Sequence, residues 1–137
     1  MPKKTPELQI DVAEVVNYLR LTGGFTTALA EVVKRRITAD AAKKQGTTVS
    51  SKELQRAADI FRIDRGLFKA KDTEGWLKSN GLSLQAFEEY LETSLLVGKF
   101  KNELEKKTNL KKYISSAPVK DTVREMAYQD WFAKAVK

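Results

Sequence analysis

Along nearly the whole chain, apolar residues recur every three or four positions and almost nowhere alternate with polar ones. Helices are therefore expected and strands are not. The first periodic run puts Val12, Val15, Val16 and Leu19 on one face. Asp11 with Glu14 has the spacing of a capping box, and Gly23 and Gly24 supply the stop. A second helix is predicted through Leu29, Val32, Val33, Ile37 and Ala41, with Thr26 or Thr27 as its cap and Gly46 as its end. Ser50 and Glu53 repeat the capping-box spacing and open a third, with Leu54, Ala57, Ala58 and Phe61 turned inward until Gly66 interrupts.

Thr73 begins a short fourth helix carrying Trp76 and Leu77, which Gly81 closes. Ser83 caps the longest run, residues 84–107, where Leu84, Phe87, Leu91, Leu95 with Leu96, and Phe100 keep helical spacing through five turns. Asn109 to Ile114 reads as a short turn of helix, and Pro118 as a break. Val119 to Val136 reads as a last helix with Val123, Ala127, Trp131, Phe132 and Ala135 inward. The expected fold is all-α, about six helices in one domain over residues 1–137, with a long central helix closed by the C-terminal one. Within it, residues 8–107 form the main core, 108–118 a connector and 119–137 the closing helix.

Composition narrows the chemistry. Of the 137 residues 42% are hydrophobic, enough for a core of modest size, and 31% are charged, giving a net charge of +7 that favours anionic partners. Neither Cys nor His occurs, which removes disulfides, thiolate nucleophiles, Cys/His zinc sites and the usual neutral-pH general base. Carboxylates remain at Asp59, Asp64, Asp72, Glu88 and Glu92, with Glu88 and Glu92 one turn apart, but no motif builds a catalytic, metal or cofactor site around them.

Basic pairs at Lys3-Lys4, Arg35-Arg36, Lys43-Lys44, Lys106-Lys107 and Lys111-Lys112 raise a nucleic-acid surface as one alternative function. Glu88, Glu89, Glu92, Glu103 and Glu105 interrupt the charge, however, and no nucleic-acid-binding motif is present. The opening "MPKKTPELQIDVAEVVNYLRL" has no continuous apolar segment of a signal peptide, and no 18-residue apolar run follows. The expectation is a cytoplasmic protein without membrane insertion, or a periplasmic one where a signal has been removed.

Four segments carry a family likeness: "GTTVSSKEL" from Gly46 to Leu54, "FRIDRGL" from Phe61 to Leu67, "TEGWLKSNGLSLQAFE" from Thr73 to Glu88, and "LLVGKF" from Leu95 to Phe100. Their order over residues 8–107 resembles the N-terminal chaperone region of SurA-like proteins, the parvulin-associated peptidyl-prolyl isomerases and foldases. In such proteins an isomerase domain follows the long helix, and a closing helix then returns. Here "VKDTVREMAYQDWFAKAVK" looks like the returning helix, and residues 108–118 are too few to hold an isomerase domain. The resemblance implies a chaperone or escort protein without isomerase activity, holding an unfolded or precursor peptide, with peptide maturation or export as a plausible setting.

A peptide groove needs apolar surface with a charged rim. Phe61, Phe68, Trp76, Phe87 and Tyr90 cluster around the loops joining the third, fourth and fifth helices, and Tyr128, Trp131 and Phe132 are expected to return against them. Tyr90 and Tyr128 are the candidates for the groove edge, each with its hydroxyl in water. Arg62, Arg65 and Lys69, within "FRIDRGLFKAKDTEG", would make a basic lip that favours acidic clients. Such a groove also fits a homodimer, or an all-α cyclase or isomerase acting on a small molecule.

Overall fold

The computed structural model describes residues 10–107 and 117–136, and among these the fold is all-α with six helices and no strand. In chain order they are α1 (Val12–Thr22), α2 (Gly24–Lys44), α3 (Ser51–Asp64), α4 (Ala70–Ser79), α5 (Leu84–Lys106) and α6 (Ala117–Ala135). They gather into two compact units. Among the described residues, the first takes 10–33 and Ser50–Glu92, and the second takes Lys34–Val49, 93–107 and 117–136. The expected turn between Asn109 and Ile114 lies outside the described residues.

Local chemistry accounts for most boundaries. Asp11 accepts the Glu14 amide at 2.9 Å and caps α1. Gly23 then turns left-handed at φ 86°, and α2 begins at once at Gly24, ahead of the expected threonine cap. A Cβ at position 24 would sit 2.9 Å from the Leu19 Cδ2 methyl, so glycine eases the close approach of α1 and α2, and a larger residue there would turn that leucine aside. Thr27 lies inside the first turn, where its hydroxyl donates to Gly23 O at 3.2 Å.

At α3 the predicted capping box is complete. The Glu53 amide donates to Ser50 Oγ at 3.1 Å, and the Ser50 amide donates to Glu53 Oε1 at 3.0 Å. Helix α4 starts three residues earlier than Thr73, because Asp72 reaches back to accept the Lys69 amide at 3.1 Å. Pro118 falls in the first turn of α6 and does not break it: that turn has no use for the missing N–H.

The first unit is centred on Leu77, Phe87 and Leu91, with Leu54, Ala57, Ala58, Phe61 and Trp76 packed against them. The i, i+4 spacing of Phe87 and Leu91 does here what the periodicity predicts. On α1 and the start of α2 it does not. Val12, Val15, Leu29, Val32 and Val33 are all exposed, and α1 has no buried residue. Leu84 on α5 is likewise exposed.

In the second unit the buried face of α2 is Thr38, Ala39 and Ala42, with Ala41 partly buried against it and Ile37 only half-buried, and it packs with Leu96 and Phe100. Small residues let helix backbones approach closely. The one polar group this buries is satisfied: the Thr38 hydroxyl donates to Lys34 O at 2.7 Å and shares a 3.0 Å hydrogen bond with the Tyr128 hydroxyl. Ala135, expected inward, is exposed at the end of α6.

Leu96 is 1% exposed and Leu21 is 88% exposed. Leu96→Ala should lower the unfolding free energy by about 2–5 kcal/mol. Leu21→Ala should change it by less than about 0.5 kcal/mol. Urea denaturation followed by circular dichroism measures both, and equal effects would contradict the assignment of the core.

Candidate functional site

The third helix ends in a device that recurs in this chain. Gly66 turns left-handed at φ 69°, its amide donates to Ile63 O at 3.1 Å, and the Leu67 amide donates to Arg62 O at 2.8 Å. The same double bond ends α4, where the Gly81 amide meets Lys78 O at 3.1 Å and the Leu82 amide meets Leu77 O at 2.9 Å. Each motif folds the next apolar residue back against its own helix. The two caps therefore fix Arg65 at the end of α3 and Leu82 at the end of α4.

Between these ends and the first turns of α5 lies an open pocket of about 260 Å³. Phe61, Arg65, Trp76, Leu82, Ala86, Phe87 and Tyr90 line it. Phe61 organises the rings: its centroid is 5.4 Å from that of Trp76, 4.9 Å from Phe87 and 6.4 Å from Tyr90, all edge-to-face. Phe87 is buried and Tyr90 is 51% exposed, so the pocket runs from core to solvent. The Arg65 guanidinium lies 3.7 Å above the Phe61 ring centroid and 5.8 Å from that of Trp76.

A second, shallower groove of about 840 Å³ runs along α4 and shares Leu82 with the pocket. Leu77, Leu84, Gly75 and Ala70 give it an apolar floor, and Arg62, Lys71, Lys78 and Glu74 give it a charged border. Both recesses belong wholly to the first unit.

Of the residues expected at the site, Phe61, Trp76, Phe87, Tyr90 and Arg65 come together in the pocket. Phe68 stands 72% exposed and does not line it. Lys69 precedes α4 as an exposed cap position. Arg62 is engaged within the fold: its Nε donates to Thr73 Oγ1 at 2.9 Å, and its guanidinium stands 3.6 Å from Asp59. Helix takes most of the segment anticipated as a basic lip, since α3 runs through Asp64 and α4 begins at Ala70.

Tyr128 and Trp131 belong to the second unit and serve its interior. Trp131 packs on that unit's core, 4.6 Å from the Phe100 ring and 6.2 Å from that of Tyr128. Tyr128 is 4% exposed, with Lys34 and Lys101 each 4.5 Å from its ring centroid, and its hydroxyl is bonded to Thr38 instead of standing in water. A tyrosine spaced for a helix face gives no sign in sequence of whether a buried hydroxyl waits for it.

Leu82 and Ala86 were not anticipated. The signal for Leu82 was its place just after a left-handed glycine, and for Ala86 its position one turn before Tyr90 on the same helix.

The pocket includes no carboxylate, and no group of three or more metal-ligating side chains occurs among the described residues. Nor is any helix there long and apolar enough to cross a membrane. The site is thus an open aromatic recess on an all-helical fold. The family model of the SurA-like N-terminal domain matches residues 13–101, and the chain belongs to that family. No curated protein and no solved structure matches it.

The two arginines differ in what holds them, and stability should report it. Arg62→Ala, which loses a partly buried hydrogen bond, should cost about 1–2 kcal/mol. Arg65→Ala, which loses a stacking contact at an exposed position, should cost less than about 1 kcal/mol. Urea unfolding of the two variants checks the order, and the reverse order would show that Arg65 is the structural one.

Proposed function

We propose that this domain is a peptide-binding chaperone or escort protein without prolyl isomerase activity. Its pocket takes an apolar side chain from an unfolded or precursor peptide, and the groove along α4 supports the chain beside it. The observation that carries this reading is the recess formed by Phe61, Trp76, Leu82 and Tyr90, apolar, open to solvent and fixed by two helix caps. A precursor peptide awaiting maturation or export is a client of the right kind, since it is unfolded and exposes apolar side chains.

Size and chemistry favour this reading over a small-molecule cyclase or isomerase. Enclosing pockets for drug-sized molecules run to roughly 300–1,000 Å³, whereas this recess, about 260 Å³, suits a single side chain, and the groove of about 840 Å³ beside it is shallow and open. It presents no histidine, cysteine or carboxylate to move a proton. A nucleic-acid surface is also less favoured, because several cations are engaged internally. Lys101 pairs with Glu125 at 3.1 Å, Lys106 with Glu103 at 3.4 Å, and the Lys99 ammonium donates to Thr48 O at 2.7 Å.

Affinity should be micromolar, since apolar burial contributes about 25 cal/mol per Å² and ordering the peptide offsets much of it. A Trp131→Phe protein leaves Trp76 as the only tryptophan and so reports on the pocket alone. Titration with unfolded peptides bearing Phe or Leu should saturate its fluorescence change. Leu82→Asp, a change at a surface leucine, should weaken binding at least about tenfold while the circular dichroism spectrum is kept. No response to any apolar peptide would refute the reading. Binding to oligonucleotides with an affinity that collapses between low and moderate salt would replace it with the nucleic-acid alternative.

A further inference from the structure

Arg65 is the only side chain of the pocket lining that is charged at neutral pH. Its guanidinium lies against the rings of Phe61 and Trp76, and it makes no hydrogen bond or ion pair with any described residue. A cation over a ring face is held through its charge and not through its N–H groups, which remain available to donate to another partner. The side chain is thus held at the pocket mouth with its donors uncommitted. Arg62 beside it offers a contrast, with Thr73 and Asp59 occupying its donors.

Resting on the peptide-binding reading above, we infer that Arg65 reads a carboxylate on the client, placed within two residues of the apolar side chain that enters the pocket. The charge complementarity is specific to this spot. A planar guanidinium matches a carboxylate with two parallel hydrogen bonds, and no acidic residue of the pocket competes for it. In an extended peptide, side chains two residues apart lie on the same face about 7 Å from each other. A carboxylate there can meet a guanidinium on the rim while the anchor fills the recess. The carboxylate can belong to an Asp or Glu side chain or to the peptide's own C-terminus.

Three labelled peptides with one Phe anchor decide the matter by fluorescence anisotropy: one with Glu two residues on, one with Gln there, and one that ends there with a free carboxylate. Wild-type protein should bind the Glu peptide about tenfold more tightly than the Gln peptide, the worth of one charge-assisted bond. Arg65→Gln should lose that preference and bind the Glu and Gln peptides equally, and Arg65→Lys should keep part of it. A terminal carboxylate that matches or exceeds Glu identifies the C-terminus as the better source, and one that falls to the level of Gln identifies the side chain. Equal binding of all three peptides by wild type overturns the inference but leaves peptide binding standing. A preference that survives in Arg65→Gln overturns it in favour of the other cations. If no peptide binds wild type, the functional reading itself fails.

Discussion

Phe61 is the residue on which the candidate site depends. Three other aromatic rings pack against it in T-shaped pairs, and the Arg65 guanidinium stands over its face. A ring with an electron-rich face and an electropositive edge can satisfy both demands at once, which an aliphatic residue of similar size cannot. Phe61 itself is only half-buried, so the cluster is neither pure core nor pure surface. That intermediate state gives the domain an apolar recess with a fixed shape.

What holds the recess open is backbone chemistry. Helices α3 and α4 each stop at a left-handed glycine whose flanking amides tie back to the last carbonyls. Arg65 and Leu82 therefore leave their helices at set points, and the first two turns of α5 bring Ala86, Phe87 and Tyr90 to face them. Rigid helix ends are a better foundation for a binding site than long loops, because the partner need not bear the cost of ordering them. The second unit solves a different problem. Its small residues on α2 close around Leu96 and Phe100, with a Thr38–Tyr128 hydrogen bond satisfying the polar groups.

Much of the fold was legible in the sequence because capping is local. The "SSKE" box, the glycine stops and the spacing of Phe87, Leu91, Leu96 and Phe100 are readable without knowledge of any partner. Burial was less legible, since it depends on what lies opposite. Val12, Val15, Val32 and Val33 keep helical spacing and yet stay exposed, whereas Thr38 and Ala39 are buried because they are small enough for close helix approach. The candidate site divides along the same line. Phe61, Trp76, Phe87 and Tyr90 lie near one another in sequence and meet as expected. Tyr128 and Trp131, far along the chain, were assigned by analogy of type and instead build the interior of the second unit.

Where a bound peptide touches the domain is the most direct test of this account. A peptide carrying a photoreactive leucine as its anchor, cross-linked to the protein and mapped by mass spectrometry, should label the α3–α4–α5 recess at Trp76, Leu82 or Tyr90. Labelling confined to α6, or to the exposed valines of α1 and α2, would contradict the assignment of the aromatic pocket as the place where the client is held.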